Sequence, residues 1–321
     1  MWFRRIFRPD NNPQPKRTAR KQPRQGSTQI GLGPKEIRQL DRLQIRGIKA
    51  LRGDRIGGRA SFRLKPSVEF KEYRSYVPGD DIRFVDWRAT ARHENIFIRQ
   101  GELPKDVIVY LLVDCTASMN WGLTAKSLAQ RSLASALSYM ALSQSDRLVI
   151  YPYGGEKNIE YGPISGKGYI PHVTRYLRHL SYGGSGSLHN AARRLTQKVS
   201  RGGVVFILSD LLEDGNLSDI LSLFPAPRWW VNVLHLLHPY EIQPEIRGTY
   251  ELEDSETGRR VNMDISQEAL ADYQKRVENW RNDLELVCVE NHAFYNLIQT
   301  DWLLGEEILP YLRQYKVLVD L

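Results

Sequence analysis

Asp114, Thr116 and Ser118 stand at alternate positions directly behind an apolar run, in the stretch VIVYLLVDCTASM that spans residues 107–119. Alternate side chains of an extended turn face the same side, so one carboxylate and two hydroxyls can converge on a point. Asp210 closes a second apolar run, and between the two runs the stretch SYGGSGSLHN places Ser185 and Ser187 in a glycine-rich loop. Oxygen ligands with few carboxylates suit Mg²⁺, which takes octahedral geometry and keeps several waters. Water or a partner's carboxylate completes such a shell, and the site then binds another protein through the metal. Hydroxyls and aspartates at strand ends also cap the helices that follow. Both readings stand for Asp114, Thr116, Ser118, Asp210 and either Ser185 or Ser187.

The elements that would bring these residues together alternate between strand and helix. Val107–Val113 has the length and branching of a buried strand. Further strands are expected over Arg147–Tyr153, Val204–Leu208, Trp229–Leu237 and Leu284–Val289. Helical periodicity marks Leu123–Ser143, His172–Leu180, Leu188–Val199, Leu217–Phe224, Ile265–Asp283 and Trp302–Gln314. This alternation predicts an α/β fold, a mostly parallel sheet with right-handed crossovers and helices on both faces. In such sheets ligands bind beyond the carboxyl ends of the strands. Ahead of this domain, Pro34–Leu51 reads as one amphipathic helix, with Gly47 interrupting its pattern.

A second chemistry-bearing segment precedes the first long strand. EFKEYRSYVPGDDIRFVDWRATAR, residues 69–92, combines the Pro78-Gly79 turn signal with Asp80, Asp81, Asp86, Arg74, Arg83, Arg88 and Arg92. Acids and arginines this close can satisfy one another in bidentate pairs, and Tyr73, Tyr76, Phe84 and Trp87 offer anchoring apolar area. The segment then locks the N-terminal portion onto the sheet or serves as a docking surface. A metal-dependent hydrolase built on Asp80, Asp81 or Asp86 is the competing reading, disfavoured by the neighbouring arginines and the absence of a placed base. The histidines lack metal-ligand spacing, and His235 and His238 would point to opposite faces of a continued strand. No G-x-S-x-G elbow or phosphate-binding loop is present. Trp229-Trp230 is expected to pack under the sheet. Cys115 and Cys288 belong to no C-x-x-C pattern and read as buried thiols.

The order of D-x-[S/T]-x-S closing a strand, a glycine-rich hydroxyl loop and a strand ending in Asp resembles the von Willebrand factor A domain. In that family these residues form a metal-ion-dependent adhesion site, which implies Mg²⁺ at the positions named above. Here Thr116 replaces the commoner serine. The run Arg74, Tyr76, Pro78, Gly79, Asp80, Asp81, Arg83, Asp86, Trp87, Ala91, Arg92 is similar to the hallmark of the family known as DUF58, which places it ahead of a von Willebrand A-like domain. LVDCTASMNWG, HPYE at 238–241 and DSETG at 254–258 fit the same resemblance, which covers about residues 38–320. It implies a non-enzymatic adaptor or chaperone-like protein that works with a MoxR-type AAA+ ATPase on a client protein. Many relatives carry two membrane helices near the N-terminus; no apolar run here approaches the roughly 20 residues needed to cross a bilayer.

Composition sets the remaining bounds. The chain has 321 residues and a net charge of +8. Residues 1–34 hold eight Lys/Arg against Asp10 alone; without them 37 basic and 36 acidic residues remain, so the body is nearly neutral. The basic excess therefore belongs to a tail and argues against a specific nucleic-acid face, while a nucleic-acid binder acting through residues 1–34 with steep salt dependence stands as a third functional reading. The tail's Pro, Gln and Asn content predicts disorder, with a smaller N-terminal segment over 35–105 and the von Willebrand A-like domain over 106–321. In residues 2–8, Trp2, Phe3, Ile6 and Phe7 interleave with Arg4, Arg5 and Arg8, a pattern compatible with a solvated tail or with peripheral contact to an anionic membrane surface. Without a signal-type apolar stretch, the default location is cytoplasmic, or peripheral to the inner face of the membrane.

Overall fold

The computed structural model describes residues 31–51, 69–76, 85–92, 96–102, 107–120, 126–155, 157–199, 201–213, 215–246, 248–253 and 260–321. Gly79, Asp80, Asp81 and Arg83 of the arginine-rich segment, the DSETG stretch and the tail residues 2–8 lie outside the described residues.

A six-stranded sheet organises the chain. Its strands are β4 (Ile108–Asp114), β5 (Arg147–Tyr153), β6 (Tyr161–Ser165), β7 (Val204–Ser209), β8 (Trp230–Leu237) and β11 (Phe294–Gln299). They lie in the order β11-β8-β7-β4-β5-β6, parallel except for β6, which runs antiparallel at the edge. Counted from β4, this is the doubly wound order in which the connections reverse direction beside the first strand, the mostly parallel sheet that the strand-helix alternation predicted. β4 shows why the pattern was readable: Val109, Leu111 and Val113 pack on one face, Tyr110 and Leu112 on the other, and all five are buried. A strand covered on both sides must be apolar at every position.

α4 (Lys126–Ser143) and α5 (Ile170–Arg178) cover one face, while α6 (Leu188–Lys198), α7 (Leu217–Ser222) and α9 (Gln267–Glu290) cover the other. Trp229 and Trp230 divide between the faces. Trp229 packs with Tyr110 and Phe224, whereas Trp230 stacks on Phe294 at 5.0 Å with the Arg46 guanidinium 5.7 Å from its ring.

The N-terminal segment joins this core. Pro34–Leu51 is not one helix: α1 (Pro34–Leu40) and α2 (Arg46–Leu51) flank β1 (Leu43–Ile45), which pairs antiparallel with β12 (Leu318–Asp320) at the C-terminus. Pairing across 276 positions overrides a local helical preference, which is worth only tenths of a kcal/mol per residue. Leu40, Leu43, Ile45 and Ile48 are buried in the same cluster as α4 and the helical stretch ending in α10 (Leu309–Gln314). Gly47 lies so close to Trp230 that a β-carbon there would meet the indole Cδ1 at 2.5 Å.

One further expectation changes. Leu284–Val289 is not a strand but the last turns of α9, which runs from its Ser266 cap to Asn291. Leu284, Val287 and Cys288 follow helical spacing, and Cys288 stands three turns after Val277, the other buried residue of that helix. The sixth strand is β11 instead. The remaining pieces are two antiparallel hairpins, β2 (Glu69–Ser75) with β3 (Phe97–Glu102) and β9 (Gly248–Glu253) with β10 (Arg260–Ile265). No helix of the described residues is long and apolar enough to cross a membrane.

Because residues 34–51 share the sheet's core, Ile48→Ala is expected to lower global stability by about 2–5 kcal/mol. Urea unfolding followed by circular dichroism should show one transition shifted as a whole; an unshifted main transition would make this segment a separate folding unit.

Candidate functional site at the carboxyl edge of the sheet

β4 ends at Asp114, and the loop behind it closes on the carboxylate. Asp114 Oδ1 accepts from the Thr116 amide at 2.9 Å and from Thr116 Oγ1 at 2.6 Å, while Oδ2 accepts from Ser209 Oγ at 2.5 Å. Thr116 Oγ1 and Ser118 Oγ lie 3.0 Å apart. All three residues are buried. The convergence expected of the alternating oxygens is therefore present. Burial, and next the neighbouring Asp210 carboxylate, push the Asp114 carboxyl up to about 6.

The neighbouring loops pack tightly around this turn. Gly154, with φ +72°, approaches so closely that a β-carbon would stand 2.8 Å from the Thr116 amide nitrogen. The glycine-rich loop docks through the Gly183 amide on the Cys115 carbonyl and the Ala117 amide on the Gly184 carbonyl, at 3.0 and 3.1 Å. Gln130 braces the site from below: its Nε2 donates to the carbonyls of Asp114 and Leu208, and its Oε1 accepts from Tyr182 Oη. One side chain thus ties the ends of β4 and β7 together.

Asp210, at the end of β7, faces a different partner. Its Oδ2 accepts from Lys126 Nζ at 2.6 Å, and Lys126 also donates to Glu241 Oε1 at 2.7 Å. Lys126 is fully buried, and Glu241 nearly so, on the short helix α8 (Pro239–Ile242) within the HPYE stretch. Burial alone would depress the ammonium, but Asp210 and Glu241 more than offset it and raise the lysine above its ordinary value. Glu241 Oε2 accepts from the His238 amide, and the Tyr240 amide donates to His238 Nδ1. His238 therefore caps a turn, and His235 lies buried on Asp210's carbonyl.

The two loop serines separate in role. Ser187 caps α6 by accepting from the Asn190 amide. Ser185 lies one residue beyond the docked Gly184, in the wall of a cleft of about 320 Å³ formed by the tops of β5, the loop 154–158 and the start of α6. Glu213 stands behind, its carboxylate accepting bidentately from the Leu188 amide.

Of the arginine-rich segment, Asp86 caps the single turn α3 (Trp87–Thr90), accepting from the amides of Arg88 and Ala89 at 3.0 and 3.1 Å. Thr90 Oγ1 in turn accepts from the Phe97 amide, pinning that turn to β3. The Tyr76 amide bonds the Ile96 carbonyl. Trp87 corrects its expected role as an anchor: 66% of it is exposed, as are most of Arg88 and Arg92. Arg74 belongs to β2.

Sequence reading missed Lys126, Gln130, Ser209 and Glu241. A signal for the first two existed: Lys126, Gln130, Leu133, Leu137 and Met140 form one stripe at helical spacing, so a lysine and a glutamine stand where the core lies. Polar residues in a buried stripe require partners at the strand ends.

The donor set tests the fit to Mg²⁺. Asp114, Thr116 and Ser118 offer one carboxylate and two hydroxyls without nitrogen or sulfur, the chemistry of a small hard cation. Asp210, as placed, is engaged by Lys126. Among the described residues no group of three or more His, Cys, Asp or Glu is arranged to hold a metal, so hydroxyls would have to carry the shell.

The family described as "Protein of unknown function DUF58" matches residues 72–283. The chain belongs to the DUF58 family. This DUF58 chain is 26% identical over 225 residues to the uncharacterized protein Rv1480 of Mycobacterium tuberculosis, covering 68% of this chain and 70% of that one. Two solved structures resemble it at low TM-scores. The first is an aerotolerance-related membrane protein from Bacteroides fragilis (14% identity, TM-score 0.40, 65% of this chain and 99% of that one). The second is a von Willebrand factor type A protein from Catenulispora acidiphila (8% identity, TM-score 0.38, 68% and 42%).

Gln130→Met is expected to destabilise this DUF58 protein by at least about 2 kcal/mol, since it removes the donor to two buried carbonyls and the acceptor of the Tyr182 hydroxyl. Tyr182→Phe, which removes one bond, should cost about 1 kcal/mol in the same urea titration. Equal losses would show that Gln130 does not brace the strand ends.

Proposed function

We propose that the chain is a non-enzymatic adaptor that grips a partner protein at the carboxyl edge of its sheet and acts with a MoxR-type AAA+ ATPase in assembling or activating a client. The observation that carries this reading is the buried, preorganised cluster of Asp114, Thr116 and Ser118 beside an open cleft. Among the described residues lining that cleft Arg194 is the charged one, and no acid joins it. An exposed guanidinium beside serine and asparagine side chains suits an acidic side chain on the partner. The ATPase partner follows from the family resemblance alone.

In this reading Asp114, Thr116 and Ser118 hold Mg²⁺, with Ser185 as the contributing hydroxyl of the glycine-rich loop because Ser187 caps α6. The ion, when bound, would supply an electrophilic point for an oxygen of the partner. The protein's own residues orient: Ser209 fixes one carboxylate oxygen of Asp114, and the docked loop holds the cleft wall against the Thr116 turn. The hydrolase alternative has less behind it, because Asp86 is a helix cap and Asp80 and Asp81 lie outside the described residues.

Millimolar Mg²⁺ is expected to raise the melting temperature of the intact chain by roughly 2–4 °C, the shift expected of about 1 kcal/mol of linked binding. The shift should vanish in Asp114→Ala and persist in Arg194→Glu. Binding to a purified MoxR-type ATPase, measured by biolayer interferometry, should weaken at least tenfold in both variants and on chelation. Unchanged binding in all three conditions would remove this edge of the sheet from partner recognition.

A further inference from the structure

Asp114 and Asp210 occupy equivalent places, each closing a central parallel strand, yet a full positive charge sits on one of them. Lys126 enters from the first turn of α4, is completely shielded from solvent, and places its ammonium 2.6 Å from Asp210 and 2.7 Å from Glu241. Both acids are themselves buried. A solvated lysine gains nothing from such a position, and a buried one persists only when matched by acids. Glu241 is held in turn by the His238 amide, so the ammonium's second acceptor is fixed by the backbone. The three groups form a built cation site whose cation is part of the chain.

We propose that Lys126 is the resident cation of this edge of the sheet: it takes Asp210 out of the ligand set and limits divalent-cation binding to the Asp114, Thr116 and Ser118 side. This inference rests on the Mg²⁺ reading above for where an ion would sit, but not for what Lys126 does. Three consequences follow from charge alone. The ammonium cancels one of the two carboxylate charges near Asp114, so the site binds divalent ions less tightly than it would without the lysine. Without the ammonium, Asp210 and Glu241 become two uncompensated carboxylates beside Asp114, and divalent ions then bind more tightly, on the order of ten- to a hundredfold, as the loss of one nearby unit charge implies. Asp210 becomes a direct ligand only in that altered state.

The test is calorimetric titration of the intact chain with Mn²⁺ and with Mg²⁺. The variants are Lys126→Met, Asp210→Asn, Glu241→Gln, Asp114→Asn and the pair Lys126→Met with Asp210→Asn, each checked for folding by circular dichroism. Lys126→Met should tighten Mn²⁺ binding at least tenfold, and the paired variant should lose that gain. Asp210→Asn and Glu241→Gln each strip one negative charge from the lysine's partners and should weaken Mn²⁺ binding by factors within about tenfold of each other, an arm that remains informative if Lys126→Met does not fold. Folded Lys126→Met with unchanged or weaker binding overturns the inference, as does a loss in Asp210→Asn far beyond that in Glu241→Gln, which would make Asp210 a ligand while the Mg²⁺ reading survives. A parent that binds no ion beside a Lys126→Met that does sinks the Mg²⁺ reading and upholds this one.

Discussion

The buried ion pair of Lys126 with Asp210 and Glu241 constrains everything at the top of the sheet. An ammonium in the interior must be matched by charge and hydrogen bonds, and breaking one partner of such a set costs about 3–5 kcal/mol. The start of α4, the end of β7 and the turn after β8 therefore cannot move independently. The network extends outward from there. Tyr273 Oη donates to the Glu241 carbonyl at 2.6 Å, which ties in α9. His235 Nε2 sits 3.0 Å from the Asp210 carbonyl, so that nitrogen carries the proton, and Nδ1 accepts from Tyr295 Oη at 2.7 Å. Burial lowers His235 to about 3, which keeps it neutral and fixes that tautomer.

Against this closed network, Asp114 is held only by neutral donors, the hydroxyls of Thr116 and Ser209 and one amide. Two carboxylates at the same level of the sheet thus differ in what they can still accept. Asp210 already has its cation; Asp114 has hydrogen bonds but no counter-charge. The asymmetry orients the site, placing the demand for positive charge on the side of the Thr116 turn, where the glycine-rich loop and the cleft lie. Glycine is required where this loop system meets that turn, because a side chain at Gly154 would strike the backbone of Thr116.

Strands β4, β5, β7 and β8 were legible because each is buried on both faces and reads as a nearly continuous apolar run, whereas the largely exposed edge strand β6 and the partly buried β11 escaped. The elements that escaped are those whose sequence carries no face-specific signal. β1 and β12 are three-residue strands that exist because residues 43–45 meet the C-terminal residues 318–320. Leu284–Val289 misled because LELVCV, five apolar residues around the single Glu285, imitates a short strand over six residues. At the site, Asp114, Thr116 and Ser118 were readable from spacing along one segment. Lys126 and Glu241 were not, since their pairing joins positions 115 apart and depends on the turn after β8. Only the misplaced lysine in an apolar helical stripe hinted at it.

The choice between helix caps and ligands, open in the sequence, divides residue by residue. Ser187 is a cap: it faces the amide of Asn190 three positions on, as the first turn of α6 requires. Asp86 is another, with two amides on one oxygen. Thr116 and Ser118 are not explained in this way. Their hydroxyls turn toward each other and toward Asp114 rather than toward a helical amide, and the turn they occupy, Ala117–Asn120, is a single 3₁₀ turn rather than the start of α4. Buried hydroxyls gathered on a carboxylate cost conformational freedom that a simple turn does not demand. The proposed role in holding an ion therefore falls on these three residues rather than on the full set of six.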